Sequence, residues 1–128
     1  MNKNHNMLLC FDFGVKKIGI CFGETIAGSS TPLPVIKNNS ESMKKIKLYV
    51  DEWDPDAFLI GCPSKPSEDF FRQLNIFKEN LINEFKLEVI ESNEDFTSQI
   101  ISSEFKNGEY DSLSAQKIFE SWVNTKNE

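Results

Sequence analysis

The chain has 128 residues, 39% of them hydrophobic, with eleven phenylalanines and a formal net charge of −6. This length and composition predict one globular domain over residues 1–128, with a flexible N-terminus over residues 1–6, and exclude a disordered chain. No apolar run approaches the roughly 20 residues that span a bilayer. The polar start, MNKNHNMLLC, is not typical of a signal peptide. We therefore expect no association with a membrane.

The three cysteines bear on the cellular compartment. Their odd number and the lack of a CxxC-type pair favour a reducing compartment and predict a cytoplasmic protein. Cys10, Cys21 and Cys62 could, together with His5, supply four zinc ligands. Because Cys10 and Cys21 lie in apolar stretches, we favour their interpretation as small core residues over a metal site.

Charge is distributed unevenly along the chain. Residues 1–50 carry a net charge of +4 (seven Lys against three acids), and residues 51–128 carry −10 (seven basic residues against seventeen acids). An acidic protein binds polyanions poorly unless positive charge is concentrated locally. Any nucleic acid would therefore have to meet the lysines of the first half: Lys16, Lys17, Lys37, Lys44, Lys45 and Lys47. The alternative, that each of these lysines is a solvated surface residue, stays open from charge alone.

The first structured segment is the stretch LLCFDFGVKKIGICFGE. Residues 7–13 and 18–22 are rich in branched and aromatic side chains and predict two strands, joined by a hairpin turn at residues 14–17. Asp12 interrupts this pattern, because an unpaired buried carboxylate costs several kcal/mol. Either Asp12 has a backbone or basic partner, or it lies at the edge of the sheet and holds a positive group.

The middle of the chain alternates strands with helices. Residues 26–35 contain two prolines and predict an edge strand, and apolar residues at helical spacing predict a helix over residues 40–53. The continuous apolar run at residues 57–61 predicts a strand buried on both faces. Ser67, followed by two acids, predicts the start of a second helix, and residues 87–90 predict another strand.

The last third supplies further carboxylates. The segment ESNEDFTS, at residues 91–98, predicts the entry to a short helix that carries Ile100 and Phe105 and closes at Asn107-Gly108. Asp111 then predicts the start of a final helix, where it could simply be an N-cap. By their spacing alone, the three separated carboxylates Asp12, Glu94 and Asp111 are a weak signal of a shared site.

The predicted order of elements indicates an α/β protein. Strands that alternate with helices imply a parallel portion with right-handed crossovers, here joined to an antiparallel hairpin in a mixed five-stranded sheet flanked by helices. Ligands of such sheets bind beyond the carboxyl ends of the parallel strands. Asp12, Gly61 and the acids after residue 90 are all expected near those ends.

Four motifs in this order resemble the bacterial YqgF family, also called RuvX or Holliday junction resolvases. They are FDFGVKKIG, the GCP after the buried strand, SNEDFTS, and YDSLSAQKIFESW. The resemblance extends from Leu8 to about Val123, and its strongest parts are the first hairpin with TPLPVIK and the run from Asp111 to Trp122. It implies an RNase H-like fold and a nuclease that processes the 5′ end of precursor 16S ribosomal RNA.

The resemblance also implies a site. It carries the catalytic carboxylates over to Asp12, Glu94 and Asp111, which would bind two Mg²⁺ or Mn²⁺ ions, since paired divalent ions with oxygen ligands suit phosphodiester hydrolysis. Lys16, Lys17 and Lys37 would contact the nucleic acid, which is structured RNA or branched DNA. A monomer and a homodimer are both compatible with the sequence.

The sequence also departs from the family pattern. Val15 replaces a Thr, Cys62 replaces a Leu, and Asp95 replaces an Arg that would suit a phosphate contact. The basic loop before Asp111 is shortened to residues 106–110. A second hypothesis follows, in which the chain keeps the fold but binds RNA, ribosomal particles or protein without cutting.

A third hypothesis is a phosphotransferase related to the actin-like and sugar kinase ATPases. Their phosphate-binding loop resembles the segment DFGVK at residues 12–16. Those enzymes hold ATP between two such domains, and the 128 residues of this chain provide only one. We therefore disfavour this hypothesis.

Overall fold

The computed structural model describes residues 6–62, 66–93 and 107–126. At residues 93, 107–113, 125 and 126 it describes the backbone only. The N-terminus predicted to be flexible lies outside the described residues except for Asn6. The backbone N–H of Asn6 donates to the Asp56 carboxylate at 3.1 Å, which fixes the entry to the first strand.

The described residues form five strands and three helices. The strands are β1 (Met7–Phe13), β2 (Lys17–Glu24), β3 (Ser29–Lys37), β4 (Ala57–Cys62) and β5 (Glu88–Asn93). The helices are α1 (Ser42–Trp53), α2 (Glu68–Phe85) and α3 (Asn107–Lys126). None of the three helices in the described part of the chain is both long and apolar enough to cross a membrane.

The strands form one mixed sheet in the order β3-β2-β1-β4-β5. The neighbours β3, β2 and β1 are antiparallel, whereas β1, β4 and β5 are parallel. The predicted mixed α/β sheet is therefore confirmed, including the edge position of β3 and the burial of β4. The parallel strands end at one edge of the sheet, the carboxyl edge, at Phe13, Cys62 and Asn93.

One face of the sheet, the aromatic face, is covered by α1 and α2. Ring contacts connect its strands and helices: the Phe11 ring lies 5.7 Å from that of Phe58 and 5.4 Å, edge-on, from that of Phe77. Offset and edge-on ring pairs add stability beyond area burial. The buried members of this core are Leu9, Phe11, Phe13, Ile18, Ile20, Phe22, Leu33, Ile36, Ile46, Phe58, Ile60, Leu74, Phe77 and Leu81.

The opposite face, the α3 face, is lined by smaller strand residues. Leu8, Cys10, Cys21, Ala57 and Leu59 pack there against Ala115, Ile118, Phe119 and Val123 of α3. Gly23 of β2 allows the close approach of this helix, because a Cβ at residue 23 would overlap the ring of Phe119. The expectation that Cys10 and Cys21 are core residues is confirmed, since both are fully buried.

Several element boundaries differ from the prediction. Residues 25–28 form a turn, not the beginning of β3, because the N–H of Gly28 donates to the Glu24 carbonyl and Gly28 has a positive φ of 68°. Helix α1 begins at Ser42 instead of residue 40, since the hydroxyl of Ser42 hydrogen-bonds the Lys37 carbonyl and closes the preceding turn. Strand β5 extends to Asn93 because its parallel pairing with β4 continues to Cys62.

The predicted start of the last helix is wrong. Asn107 and Gly108, predicted to close a preceding helix, form the first turn of α3, and Asp111 lies inside this helix instead of capping it. The packing of Ala115 and Phe119 against the sheet outweighs the low helix propensity of Asn and Gly at the helix start. The short helix predicted around Ile100 lies outside the described residues.

Candidate active site

Asp12 lies near the carboxyl edge on the α3 face of the central strand β1. It pairs with Gly19 of β2, and its side chain is half-buried. Leu8 and Cys10, which share its face because strand residues alternate, both contact the core under α3. Asp12 is therefore the last α3-face residue of β1.

The residues beside Asp12 form a row across the sheet with little side-chain bulk. The register of β1 with β4 pairs Phe11 with Ile60, so its continuation by one residue brings Asp12 beside Gly61. Gly61 in turn pairs with Ser92 of β5. Asp12 thus lies between two glycines, Gly19 and Gly61, and this leaves its carboxylate open to a ligand on the α3 face.

Two of the three predicted nucleic-acid-binding lysines lie directly opposite each other on this face. Lys17, the first residue of β2, pairs with Lys37, the last residue of β3. Lys17 is also the diagonal neighbour of Asp12 across the β1–β2 pair, a relation that corresponds to about 7–8 Å. Lys16, the third, is exposed in the intervening turn, where its carbonyl accepts the N–H of Asn38 at 2.9 Å.

This pairing of lysines has an electrostatic cost. Like charges directly opposite each other in an antiparallel pair destabilise the sheet. The two lysines concentrate positive charge at the carboxyl edge of an otherwise acidic chain, which suits this edge to phosphate groups.

The other two predicted carboxylates lie in less fully described parts of the chain. Glu94 follows the last residue of β5 and lies outside the described residues. Asp111 lies in α3, where its backbone is described and its side chain is not. Within residues 6–62, 66–93 and 107–126, no three His, Cys, Asp or Glu side chains form a cluster that could hold a metal ion. The convergence of the three acids stays a prediction.

Ser114 is a buried polar residue of α3 that the sequence analysis did not single out. It is 3% exposed, and its hydroxyl has no hydrogen-bond partner among the described residues. A buried hydroxyl without a partner costs about 1–3 kcal/mol. It is therefore a polar group that a ligand or its hydration shell could satisfy.

Gly19 and Ser92 were also missed, although glycine inside an apolar strand pattern is itself a signal. Such a glycine often marks a place where a ligand or another backbone approaches closely. No local sequence signal identifies Ser92, because its position beside Gly61 depends on the register between β4 and β5.

Cys10, two residues before Asp12 on the same face, is an unreactive thiol. Burial, followed by its hydrogen bond and charge interaction with Cys21, raises the pKa of the Cys10 thiol well above its ordinary value. A neutral buried thiol is neither a nucleophile nor a metal ligand at neutral pH. The chemistry available at this edge is therefore that of Asp12 and the lysines.

Comparison with known proteins identifies the family. The RuvX family model, described as Holliday junction resolvase, matches residues 6–125. The chain belongs to the RuvX family. A relative named as a pre-16S rRNA nuclease in Buchnera aphidicola subsp. Baizongia pistaciae is 31% identical, with 91% of this chain and 95% of the relative covered. A relative of the same name in Blochmanniella floridana is 30% identical, with 97% and 98% covered.

Solved structures agree on the fold of this RuvX family member. RuvC of T. thermophilus in complex with a Holliday junction substrate matches with a TM-score of 0.65 at 8% identity, and 96% of each chain is covered. The resolvase of Fowlpox virus in complex with Holliday junction DNA matches with a TM-score of 0.60 at 12% identity, covering 95% of this chain and 99% of the resolvase. The predicted RNase H-like fold and the predicted family are thereby confirmed.

Proposed function

We propose that this chain is a divalent-metal-dependent endonuclease that processes the 5′ end of precursor 16S rRNA in the cytoplasm. Asp12, Glu94 and Asp111 are its catalytic and metal-binding carboxylates. The observation that carries the proposal is the position of Asp12 between Gly19 and Gly61, on the face and at the edge where Lys17 and Lys37 meet.

The sheet topology supports the assignment of Glu94 to the site. It comes directly after β5, which runs parallel to β1 and ends at the carboxyl edge. Parallel strands of one sheet deliver the residues that follow them to the same edge. This supports the assignment of Glu94 to the site of Asp12.

The direction of α3 supports the assignment of Asp111 to the site. Val123 and Asn124 lie beside the turn at residues 25–28, at the end of the sheet remote from Asp12. The preceding part of α3 therefore runs back towards the carboxyl edge. A helix rises about 1.5 Å per residue, so residue 111 is about 12 Å from Phe119 along the axis, which matches the roughly 13 Å from Leu8 to Asp12 along β1.

The periodicity of α3 is a second argument for the assignment of Asp111. Ser114 and Ala115, three and four residues after Asp111, are both buried against the α3 face. Residues at these spacings share one face of a helix. Position 111 therefore belongs to the helix face that carries Ser114 and Ala115, which supports the assignment of Asp111 to the site.

The donor set fits Mg²⁺ or Mn²⁺. Carboxylate oxygens are the ligands that these ions prefer, they retain several waters, and Ser114 offers a buried oxygen for that hydration. Bound ions would neutralise the charge that develops on the phosphate during hydrolysis. Asp12, Glu94 and Asp111 would hold the ions, Asp12 from the middle, while Gly19 and Gly61 leave room above the sheet.

The lysines position the substrate. Lys17 and Lys37, and Lys16 in the turn, present positive charge beside Asp12, so that the phosphates of a strand can cross the carboxyl edge. Structured RNA is the proposed substrate, because a relative is named as a pre-16S rRNA nuclease. Branched DNA is the alternative, because the family model is described as Holliday junction resolvase.

A catalytically inactive binding protein is the second candidate. The observation that favours it is Val15, 47% exposed in the turn beside Asp12, where the family pattern has the hydroxyl of Thr. Such a protein would retain the lysines and the RNA affinity but would not cleave.

Replacement of Asp12 by Asn tests the proposal. We expect Asp12→Asn to reduce Mg²⁺-dependent cleavage of a precursor 16S RNA fragment at least 100-fold, since the loss of a metal ligand removes about 3 kcal/mol of transition-state stabilisation. EDTA should abolish cleavage by the unaltered protein. Asp54→Asn is the matched control, because Asp54 is exposed, remote in sequence, and has a left-handed φ of 52° that Asn tolerates.

The possible results separate the candidates. Full cleavage by a folded Asp12→Asn protein would overturn the assignment of Asp12. RNA binding without cleavage by the unaltered protein would establish the inactive candidate. Preferential cleavage of a four-way DNA junction over the RNA fragment would change the substrate class and leave the site intact.

A further inference from the structure

A small cavity lies on the aromatic face, close to the carboxyl edge but on the side of the sheet opposite Asp12. It has a volume of about 170 Å³ and lies between the junction of β3 with α1 and the middle of α2. We call it the amide pocket, because four carboxamide side chains line it: Asn38, Asn39, Gln73 and Asn80. The volume is well below the roughly 300–1,000 Å³ of sites for drug-sized ligands. The occupant is therefore a small planar or compact group.

Three of the four carboxamides are oriented by the protein and keep polar groups for a ligand. The side-chain amide of Asn38 donates to the Gly14 carbonyl at 2.8 Å, and that of Gln73 donates to Asp69 at 2.7 Å. The Asn39 side-chain oxygen accepts the N–H of Glu41 at 2.9 Å. Each of these bonds uses one end of a carboxamide and leaves the other end available.

The carboxylate that holds Gln73 stays ionised at neutral pH. Hydrogen bonds from Arg72 and Gln73 lower the pKa of the exposed Asp69 carboxyl. An ionised carboxylate accepts hydrogen bonds only, so it fixes which end of the Gln73 carboxamide turns towards Asp69. The oxygen of Gln73 is then the group left for a ligand.

The floor of the pocket is apolar and aromatic. Phe13 and Phe77, whose ring centroids are 4.9 Å apart, both line it, and Ile76 lines it while remaining 52% exposed. Because Phe13 and Phe77 are each only 5% exposed, the base would meet the apolar edges of these rings and Ile76, while the surrounding carboxamides hydrogen-bond along the edge of the base. Asn and Gln suit such edges because a carboxamide offers a donor and an acceptor side by side.

The pocket is also adjacent to the predicted phosphate contacts. Asn38 follows Lys37 directly in the chain, and Phe13 follows Asp12. Because successive strand residues point to opposite faces, a strand of nucleic acid across the carboxyl edge could meet Asp12 on one side and the amide pocket on the other. Sequence-specific recognition of RNA favours such unpaired, splayed bases.

We propose that the amide pocket binds one unpaired nucleobase of the RNA strand whose phosphates contact Lys16, Lys17 and Lys37. This inference rests on the proposed function, and it specifies the substrate as RNA with a single-stranded nucleotide next to the cleaved bond. Asn80 is its most accessible test, since it is exposed and its side chain makes no hydrogen bond to the described residues.

The experiment compares RNA oligonucleotides that differ by one base. Fluorescence anisotropy in EDTA, where cleavage is absent, measures the affinity of the protein for RNA with an unpaired adenosine and for the same RNA with an abasic nucleotide at that position. We expect the unaltered protein to bind the adenosine RNA about tenfold more tightly, the order expected for one good base-edge contact. Asn80→Ala should reduce this preference at least threefold and leave the abasic affinity unchanged.

Asn83→Ala is the matched control. Asn83 lies on the same helix, is equally exposed and does not line the pocket, so its replacement should leave both affinities unchanged. Circular dichroism would confirm that both variants keep their helices.

The outcomes distinguish the pocket from the nuclease. If Asn80→Ala weakens both RNAs equally, or neither, the pocket does not bind the base, whereas Mg²⁺-dependent cleavage would still support the proposed function. If the base preference depends on Asn80 and the protein does not cleave, the pocket stands and the nuclease proposal fails. Absence of RNA binding by the unaltered protein would overturn both.

Discussion

The two faces of the sheet differ in the size of the side chains that they bury. On the aromatic face, the phenylalanines of β1, β4 and α2 contact one another in a continuous set of ring pairs. On the α3 face, the central strands contribute Cys10, Cys21, Ala57 and glycines, so that α3 lies close to the sheet. The aromatic face carries the larger apolar burial, and the α3 face carries the candidate catalytic carboxylate.

The difference shows how the fold separates stability from chemistry. A charge is costly to bury in a densely packed core, and Asp12 avoids such a core because it lies beyond the last packed residues of the α3 face. Phe13, its neighbour, points the other way and is 5% exposed within the aromatic core. Asp12 and Phe13, successive residues of β1, thus serve the candidate site and the stability of the core, respectively.

The largest expected effect concerns the aromatic face. Phe11 is fully buried in contact with Phe58 and Phe77, so Phe11→Ala should lower the free energy of unfolding by about 3–5 kcal/mol through lost burial and a residual cavity. Urea denaturation, with the midpoint compared at constant m-value, measures the change. Phe71→Ala is the control, because Phe71 is 52% exposed and its replacement should cost less than about 1 kcal/mol. Similar losses in both variants would contradict the distinction between core and surface.

Local signals predicted this part of the fold well. Ser67 accepts the N–H of Phe70 as the N-cap at the predicted start of α2, and Leu74, Phe77 and Leu81, at helical spacing, belong to the core. Both features depend on residues within a few positions of each other. Asn107-Gly108 misled the prediction, because contacts of α3 with distant strands decide its start.

The candidate site was predictable only in its single residues. Asp12 is visible in the sequence as a charge within an apolar run. Its surroundings are not, because the pairing with Gly19 and the pairing of Lys17 with Lys37 are set by strand register. Register depends on how whole strands bury their faces, which no local motif specifies.

A smaller effect is expected on the α3 face. Gly23→Ala adds a Cβ that overlaps the Phe119 ring, so we expect a loss of about 1–3 kcal/mol in the free energy of unfolding from overpacking. If the ring is the cause, Phe119→Leu combined with Gly23→Ala should destabilise less than the sum of the two single changes, as a double-mutant cycle would show. Strict additivity, or a neutral Gly23→Ala, would mean that α3 can move away from β2 at little cost.

The smallest effect on stability is expected at the carboxyl edge, where the substitution should stabilise the protein instead of destabilising it. Lys37→Glu replaces the like-charged pair with Lys17 by an opposite-charged one, which should raise the free energy of unfolding by about 0.2–1 kcal/mol. The same change should weaken RNA binding and reduce the slope of log affinity against log salt concentration by about one, as expected for one lost phosphate contact. Lys86→Glu, at the opposite end of the sheet where α2 ends, should leave RNA affinity unchanged. A Lys37→Glu protein that binds RNA as well as the unaltered chain would remove the phosphate-binding role from this edge, and a less stable one would show that Lys37 contributes more to the sheet than its charge opposite Lys17.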